Sequence, residues 1–166
     1  MTATFSEQVR TEVATVGVVG LGFTGLPLAL SLADAGVLTT GLDTDRAKIA
    51  ALLAGESYLP EIPPSALEAA AAWFEPTWDP SRLAGLDAYV ICVPAPVGAD
   101  GVTDLRYVEW AADTVGAVLH RGSLVVLRSP VPPGTAANLA ARLAARSQLR
   151  PGVDFHVTVS PERFGL

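Results

Sequence analysis

The chain has 166 residues, half of them hydrophobic, and a net charge of −6. This length fits a single domain that can bury its own core. The negative charge argues against nucleic acid or an anionic membrane surface as a partner. No apolar run is long enough to span a membrane, because Asp34 and Asp43 interrupt the most hydrophobic region. A single cysteine, Cys92, excludes an internal disulfide and favours a reducing cytoplasm.

Residues 1–12 contain acids and no apolar core, so they do not form a secretory signal. We expect a disordered leader there, followed by one domain over residues 13–166. The first strand, 14–19, is apolar without alternation, as in a central parallel strand that is covered on both faces. Apolar helical spacing after Gly22 predicts a helix to about Ala35, with Pro27 in its first turn.

Three glycines connect this strand to this helix in GxGxxG spacing. Gly20 would form the turn, Gly22 would let a pyrophosphate approach the backbone, and Gly25 would let the helix pack closely against the strand. The amides at the helix N-terminus would then favour phosphate. The motif alone is a weak signal, because a glycine-rich turn without a ligand has the same pattern.

The next strand, 37–42, ends in Asp43, at about the spacing expected for a carboxylate that binds the cofactor ribose. Asp43 is also a candidate N-cap for the helix predicted over 45–53, and one side chain could serve both purposes. Lys48 lies near the start of that helix, where a solvated surface lysine is the default interpretation. Strand, glycine turn, helix, strand and acid together favour dinucleotide binding.

The rest of the chain continues the alternation. Residues 56–64 hold three prolines and form a loop, after which Ser65 and Glu68 form a capping box for a short helix. Pro76 marks the strand at 73–78 as an edge strand. Further strands are predicted at 87–93, 123–127 and 155–159, and further helices at 104–119 and 136–146, capped by Asp104 and Thr135. Cys92 is expected to be a buried structural thiol.

This alternation predicts an α/β fold, a three-layer, doubly wound parallel sheet of the Rossmann type in the order 3-2-1-4-5-6. The loops 94–101 and 128–135 follow strands, so they should face the cofactor at the carboxyl edge of the sheet.

Four motifs in order resemble the N-terminal domain of the UDP-glucose/GDP-mannose dehydrogenase family. They are GLGFTGLPLA (20–29), ICVPAP (91–96), SPVPPGT (129–135) and SPER (160–163). The resemblance implies an enzyme that oxidises the 6-hydroxyl of a nucleotide sugar to a carboxylate with two NAD molecules. The loop GESYLPEIP (55–63) is most similar to the branch that acts on UDP-N-acetylhexosamines.

The resemblance also implies a role for each matching residue. It places the pyrophosphate on Gly20, Gly22 and Gly25 with the amides of Phe23 and Thr24, the adenosine on Asp43 and Lys48, the nicotinamide ribose beside Val93, Ala95 and Ser129, and a water-ordering carboxylate at Glu162. No metal site is implied.

The sequence departs from the family pattern in two ways. Ala95 and Pro130 stand where the family usually has threonine, which removes two hydroxyls near the nicotinamide. The family's nucleophilic cysteine, its lysine and asparagine partners and its UDP-binding domain would all lie beyond residue 166. We therefore expect this chain to be inactive alone, to take a UDP-sugar only together with that second half, and to come from a homodimeric parent.

Two alternatives remain at this point. One is a non-catalytic NAD-binding module that senses or regulates, which the two lost hydroxyls favour. The other is the Rossmann domain of another NAD-dependent oxidoreductase, such as a 3-hydroxyacid dehydrogenase, against which the ending SPE (160–162) argues.

Overall fold

The computed structural model describes residues 14–160 and contains one sheet of six parallel strands. The strand order is β3-β2-β1-β4-β5-β6, which confirms the predicted doubly wound topology. The strands are β1 (Thr15–Val19), β2 (Leu38–Leu42), β3 (Phe74–Thr77), β4 (Ala88–Ile91), β5 (Leu124–Leu127) and β6 (His156–Val159). β3 lies at one edge, as Pro76 predicts. The predicted leader and Glu162 lie outside the described residues.

Five α-helices and a short 3₁₀ helix (Pro80–Leu83) connect the described strands. The α-helices are α1 (Gly25–Asp34), α2 (Arg46–Leu53), α3 (Pro64–Ala70), α4 (Arg106–Gly116) and α5 (Thr135–Ser147). Apolar side chains of α1, α2 and α3 form a core on one face of the sheet, and those of α4 and α5 form a second core on the other face.

The central strand β4 shows why the sequence of a central strand does not alternate between apolar and polar residues. Val90 packs into the first core, and Tyr89 and Ile91 pack into the second. Both faces of β4 are therefore shielded from water. Each fully buried side chain of this size stabilises the fold by roughly 1.5–3 kcal/mol. Cys92 is buried in the first core, as expected.

Two of the three predicted side-chain caps are wrong because backbone geometry starts the helix instead. α3 begins at Pro64, one residue before Ser65, and has no side-chain cap. The ring of Pro64 fixes a helical φ, so the helix starts there. Gly134 takes a left-handed φ of 88° and occupies the cap position of α5, while the Thr135 hydroxyl donates back to the Pro132 carbonyl at 2.8 Å.

The predicted cap at Asp104 is wrong for a different reason. The α4 helix starts at Arg106, and Leu105 holds the cap position without a side-chain hydrogen bond. The Asp104 carboxylate accepts the Arg106 amide at 3.0 Å and also pairs with the Arg106 guanidinium at 2.7 Å. Asp104 therefore lies two residues before the first helical residue and forms a local turn and an ion pair with it.

Candidate cofactor-binding site

The carboxyl ends of β1, β2, β4 and β5 border one open cavity of about 1000 Å³. All the predicted cofactor residues in the described part of the chain line it except Gly25, namely Gly20, Gly22, Phe23, Thr24, Asp43, Lys48, Val93, Ala95 and Ser129. The parallel topology brings these residues to one edge of the sheet although they are spread over more than a hundred positions.

The three glycines of the turn have three different structural requirements. Gly20 has a φ of +93°, and a β-carbon there would come within 2.9 Å of the Cys92 carbonyl oxygen. A β-carbon on Gly25 would overlap the Gly20 carbonyl, so only glycine lets α1 approach β1 this closely. A β-carbon on Gly22 would meet nothing within 4 Å, which leaves the backbone open to a ligand on the cavity side.

Asp43 is buried at the end of β2 and holds two backbone amides. Its Oδ2 accepts the Leu21 amide at 2.9 Å, and its Oδ1 accepts the Asp45 amide at 2.9 Å. It is not the N-cap of α2, because Asp45 fills that position by accepting the Ala47 amide at 2.9 Å. Asp43 therefore ties the glycine turn to the end of the neighbouring strand.

Lys48 supplies a positive charge next to Asp43. Its Nζ lies 3.5 Å from Asp43 Oδ2 and 5.6 Å from the centre of the Tyr58 ring, within the range of a cation–π contact. The side chain is about one-third exposed, so solvent screens the pair. Lys48 is the third residue of α2, in its first turn after the Asp45 cap, and it lines the cavity.

The loops after β4 and β5 form the other end of the cavity. The buried Ser129 hydroxyl donates to the Val93 carbonyl at 2.6 Å and so joins the two loops. Ala95 and Pro130 line the same end. Both departures from the family pattern therefore lie on the cavity surface, where neither side chain supplies a hydroxyl.

Several lining residues were missed in the sequence, namely Tyr58, Tyr107, Trp110 and Arg128. Tyr58 comes from the proline-rich loop, and its hydroxyl donates to the Leu21 carbonyl at 2.5 Å. Burial, followed by the charges of Asp43 and Asp45, raises the pKa of Tyr58 above its ordinary value. The available signal was an aromatic residue in a loop without periodicity, which does not indicate a particular contact.

The fold and the cavity define a dinucleotide-binding domain of the Rossmann type. The chain offers a glycine turn that is open at Gly22, a helix N-terminus and a buried carboxylate at the end of β2. These features fit the pyrophosphate and the adenosine ribose of NAD.

The model for the NAD-binding domain of the UDP-glucose/GDP-mannose dehydrogenase family matches residues 14–165. The chain therefore belongs to this family, whose cofactor is NAD. This membership decides against a Rossmann domain from another oxidoreductase family.

Several relatives match over most of this chain. The UDP-N-acetyl-D-mannosamine dehydrogenase of Pyrococcus horikoshii is 36% identical over 151 residues, which are 89% of this chain and 36% of the relative. A solved structure of the UDP-D-ManNAc dehydrogenase from P. horikoshii has a TM-score of 0.85 at 35% identity, covering 91% of this chain and 37% of that one. A ternary complex of GDP-mannose dehydrogenase from Pseudomonas aeruginosa has a TM-score of 0.83 at 29% identity and covers 89% and 36%. This chain thus spans about a third of the length of these relatives.

No helix in residues 14–160 is long and apolar enough to cross a membrane. Over the same range, no group of three or more histidine, cysteine or acidic side chains could hold a metal ion.

Proposed function

We propose that this chain supplies the NAD site of an enzyme that oxidises the C6 hydroxyl of a nucleotide sugar to a carboxylate with two NAD molecules. The names of the relatives support a UDP-N-acetylhexosamine as the sugar nucleotide. The proposal includes a cytoplasmic location and a homodimeric parent protein. One observation carries the location of the cofactor: the Gly22 backbone opens into the cavity beside the buried Asp43 carboxylate.

The glycine turn and the start of α1 bind the pyrophosphate in this proposal. The amides of Gly22, Phe23 and Thr24 face a ligand at the positive end of the helix dipole. The Phe23 side chain is 76% exposed, so this residue contributes through its backbone. Because the chain carries a net charge of −6, these local amides must hold the phosphates without help from the overall field.

Asp43 and Lys48 bind the adenosine end. The Asp43 carboxylate has lone pairs for the ribose hydroxyls in addition to the two amides that it already accepts. Its charge repels a 2′-phosphate, so NAD should bind better than NADP. Lys48 lies near enough to soften this preference.

Val93, Ala95 and Ser129 hold the nicotinamide ribose. NAD, when bound, accepts a hydride from the sugar carbon. The hydrogen bond from Ser129 to the Val93 carbonyl keeps the two loops at a fixed separation, so this end of the cavity would not have to reorganise when NAD binds. Glu162, which lies outside the described residues, is proposed to order the water that releases the acid.

The 166 residues alone should bind NAD but not turn over a UDP-sugar. Aldehyde oxidation in this family uses a cysteine adduct, and the only cysteine here, Cys92, is buried beneath the glycine turn. Cys92 directly follows β4 of the cofactor domain and packs in the first core, so it does not correspond to that nucleophile. We propose that the nucleophile and the UDP-binding part belong to a second half of the protein.

The test combines calorimetry with an activity assay on the 166-residue chain. Titration with NAD should give one binding site. Incubation with NAD and UDP-N-acetylglucosamine or UDP-glucose should give no reduced cofactor by absorbance. Sustained turnover that disappears in Cys92→Ala would contradict this account and make Cys92 the nucleophile. Absence of NAD binding would contradict the proposed site.

A non-catalytic NAD-binding sensor is the second candidate, because Ala95 and Pro130 both lack the hydroxyl that the family usually has at these positions. The reading frame after Leu166 distinguishes the two candidates. A segment with a Cys-Phe-Pro-Lys-like motif would support the enzyme, and its absence would support the sensor.

A further inference from the structure

Leu21, between the first two glycines of the turn, is held at three points. Its amide donates to Asp43 Oδ2 at 2.9 Å, and its side chain is fully buried. A β-carbon on Gly41 would lie 2.8 Å from the Leu21 side chain, so Leu21 packs directly over this bare stretch of β2. The third point is its carbonyl oxygen, which accepts the Tyr58 hydroxyl at 2.5 Å.

Tyr58 can hold Leu21 because its own loop is fixed. The next residue, Leu59, and Ile62 are buried in the first core. The Ser57 hydroxyl accepts the Leu59 amide at 3.1 Å and closes a tight turn around Tyr58. The hydroxyl therefore projects from an anchored backbone into the glycine turn.

The contact at the Leu21 carbonyl acts on the next residue through the peptide bond. The Leu21 carbonyl and the Gly22 N–H belong to one planar peptide unit, so a hydrogen bond that fixes the carbonyl also fixes the direction of the N–H. A donor on the carbonyl further polarises the unit and makes its N–H a stronger donor. Gly22 is the position at which the turn opens into the cavity.

We propose that Tyr58 is a positioning residue for the pyrophosphate: its hydroxyl orients the Leu21–Gly22 peptide so that the Gly22 N–H is presented to the ligand. Asp43 holds the other side of Leu21, so the peptide is clamped between β2 and the proline-rich loop. This inference rests on the proposed location of NAD in the cavity. It gives the loop at 55–63 a role in cofactor binding, alongside its role in packing.

The electrostatic surroundings keep the Tyr58 hydroxyl protonated, so that it can donate its hydrogen bond to the Leu21 carbonyl. Burial and the nearby charges of Asp43 and Asp45 raise the pKa of Tyr58, so the hydroxyl remains protonated through the neutral and mildly alkaline range. Lys48 Nζ lies over the ring, 5.6 Å from its centre, within the range of a cation–π contact.

The test compares Tyr58→Phe with Tyr89→Phe in the full chain. Tyr89 is a matched control, because its hydroxyl also donates to backbone carbonyls, those of Leu83 at 3.2 Å and Val118 at 3.5 Å, but it lies in the second core. Tyr58→Phe should weaken the binding of NAD and of ADP-ribose by the same factor, about five- to tenfold, which is the upper part of the range for one neutral hydrogen bond. Tyr89→Phe should lower stability and change the affinity less than about twofold.

A spectroscopic measurement separates positioning from a general loss of stability. In ¹H–¹⁵N spectra without ligand, Tyr58→Phe should shift the Gly22 amide, and Tyr89→Phe should leave it in place. Equal NAD affinity in Tyr58→Phe and the parent chain would overturn the proposal. So would a loss in Tyr58→Leu that Tyr58→Phe does not share, because the ring would then be the important group.

Gly22→Val distinguishes the failure of this inference from the failure of the cofactor site. If Gly22→Val abolishes NAD binding and Tyr58→Phe leaves it unchanged, the site stands and the clamp is wrong. If neither variant changes binding, both are wrong.

Discussion

The two halves of the cavity are built differently. In the half beside the glycine turn, Asp43 and Tyr58 bind the Leu21 backbone at 2.9 and 2.5 Å, and Lys48 lies 3.5 Å from Asp43. In the half beyond β4 and β5, Ala95 and Pro130 face the cavity without a side-chain donor or acceptor.

This difference indicates that one half of the cavity provides the affinity for the cofactor and the other half positions its reactive end. The first half is preorganised before a ligand arrives, which lowers the ordering cost of binding. In the second half, the Ser129–Val93 hydrogen bond joins the two loops, but Ala95 and Pro130 lack the two hydroxyls that the family usually has at these positions. On this account, most of the affinity for NAD comes from the adenosine and pyrophosphate half.

The largest expected effect is that of Gly22→Val on the binding half. The side chain would fill the approach to the backbone and remove about two charge-assisted hydrogen bonds, which is worth about 100-fold in affinity. Thermal unfolding should be nearly unchanged, because a β-carbon there meets nothing within 4 Å. Gly22→Ala should give an intermediate loss by calorimetry. A valine variant that binds NAD with parental affinity would place the cofactor elsewhere.

Asp43→Asn tests the charge at the adenosine end. We expect NAD to bind about tenfold more weakly and the preference for NAD over NADP to shrink, because the repulsion of the 2′-phosphate is lost. The measurement is calorimetry with both cofactors. Asp87→Asn is the control, since Asp87 accepts the Thr15 amide at 2.9 Å and the Thr15 hydroxyl at 2.7 Å, away from the cavity. An unchanged preference in Asp43→Asn would remove Asp43 from the ribose site.

In the half of the cavity beyond β4 and β5, we expect two substitutions to increase the affinity for NAD. Pro130→Thr and Ala95→Thr should each tighten NAD binding by about two- to fivefold, the worth of one neutral hydrogen bond. Pro133→Thr, in the same loop but away from the cavity lining, should have no effect on affinity. If both cavity variants weaken binding, the second half is already matched to its ligand and the contrast between the halves fails.

The smallest expected effect is that of pH on the hydrogen bond from Tyr58 to the Leu21 carbonyl. Because the pKa of Tyr58 is raised, its neutral donating form persists as the pH increases, and any loss of affinity from its ionisation would come only above that pKa. NAD affinity should therefore differ less than about twofold between pH of about 7 and about 9.5. A fall in this range that is absent from Tyr58→Phe would show that Tyr58 ionises there, which would contradict its raised pKa.

The sequence predicts the fold well because the central strands β1 and β4 are buried, mainly apolar runs that end in turn residues. The residues of the glycine turn and Asp43 are also predictable, since their spacing reflects the backbone geometry of one βαβ unit. Their contacts with the cofactor stay predictions. Ser65, Asp104 and Thr135 are predicted as caps from residue type and, for Ser65, from the spacing to Glu68. In the structure, the cap positions of these helices are Pro63, Leu105 and Gly134.

Tyr58 was beyond prediction from the sequence for a physical reason. It contacts Leu21 across 37 positions, from a loop whose path is set by the burial of Leu59 and Ile62. Local spacing carries no information about such a contact. Asp43 lies 22 positions from Leu21, yet it could be found because a known motif fixes that distance.

A crystal structure of the 166-residue chain with NAD tests the central claim most directly. We expect the pyrophosphate within hydrogen-bond distance of the Gly22, Phe23 and Thr24 amides, with the adenosine ribose on Asp43 and the Tyr58 hydroxyl still on the Leu21 carbonyl. The nicotinamide ribose should lie between Ala95 and Ser129. NAD bound outside this cavity, or with its pyrophosphate away from the glycine turn, would contradict the account.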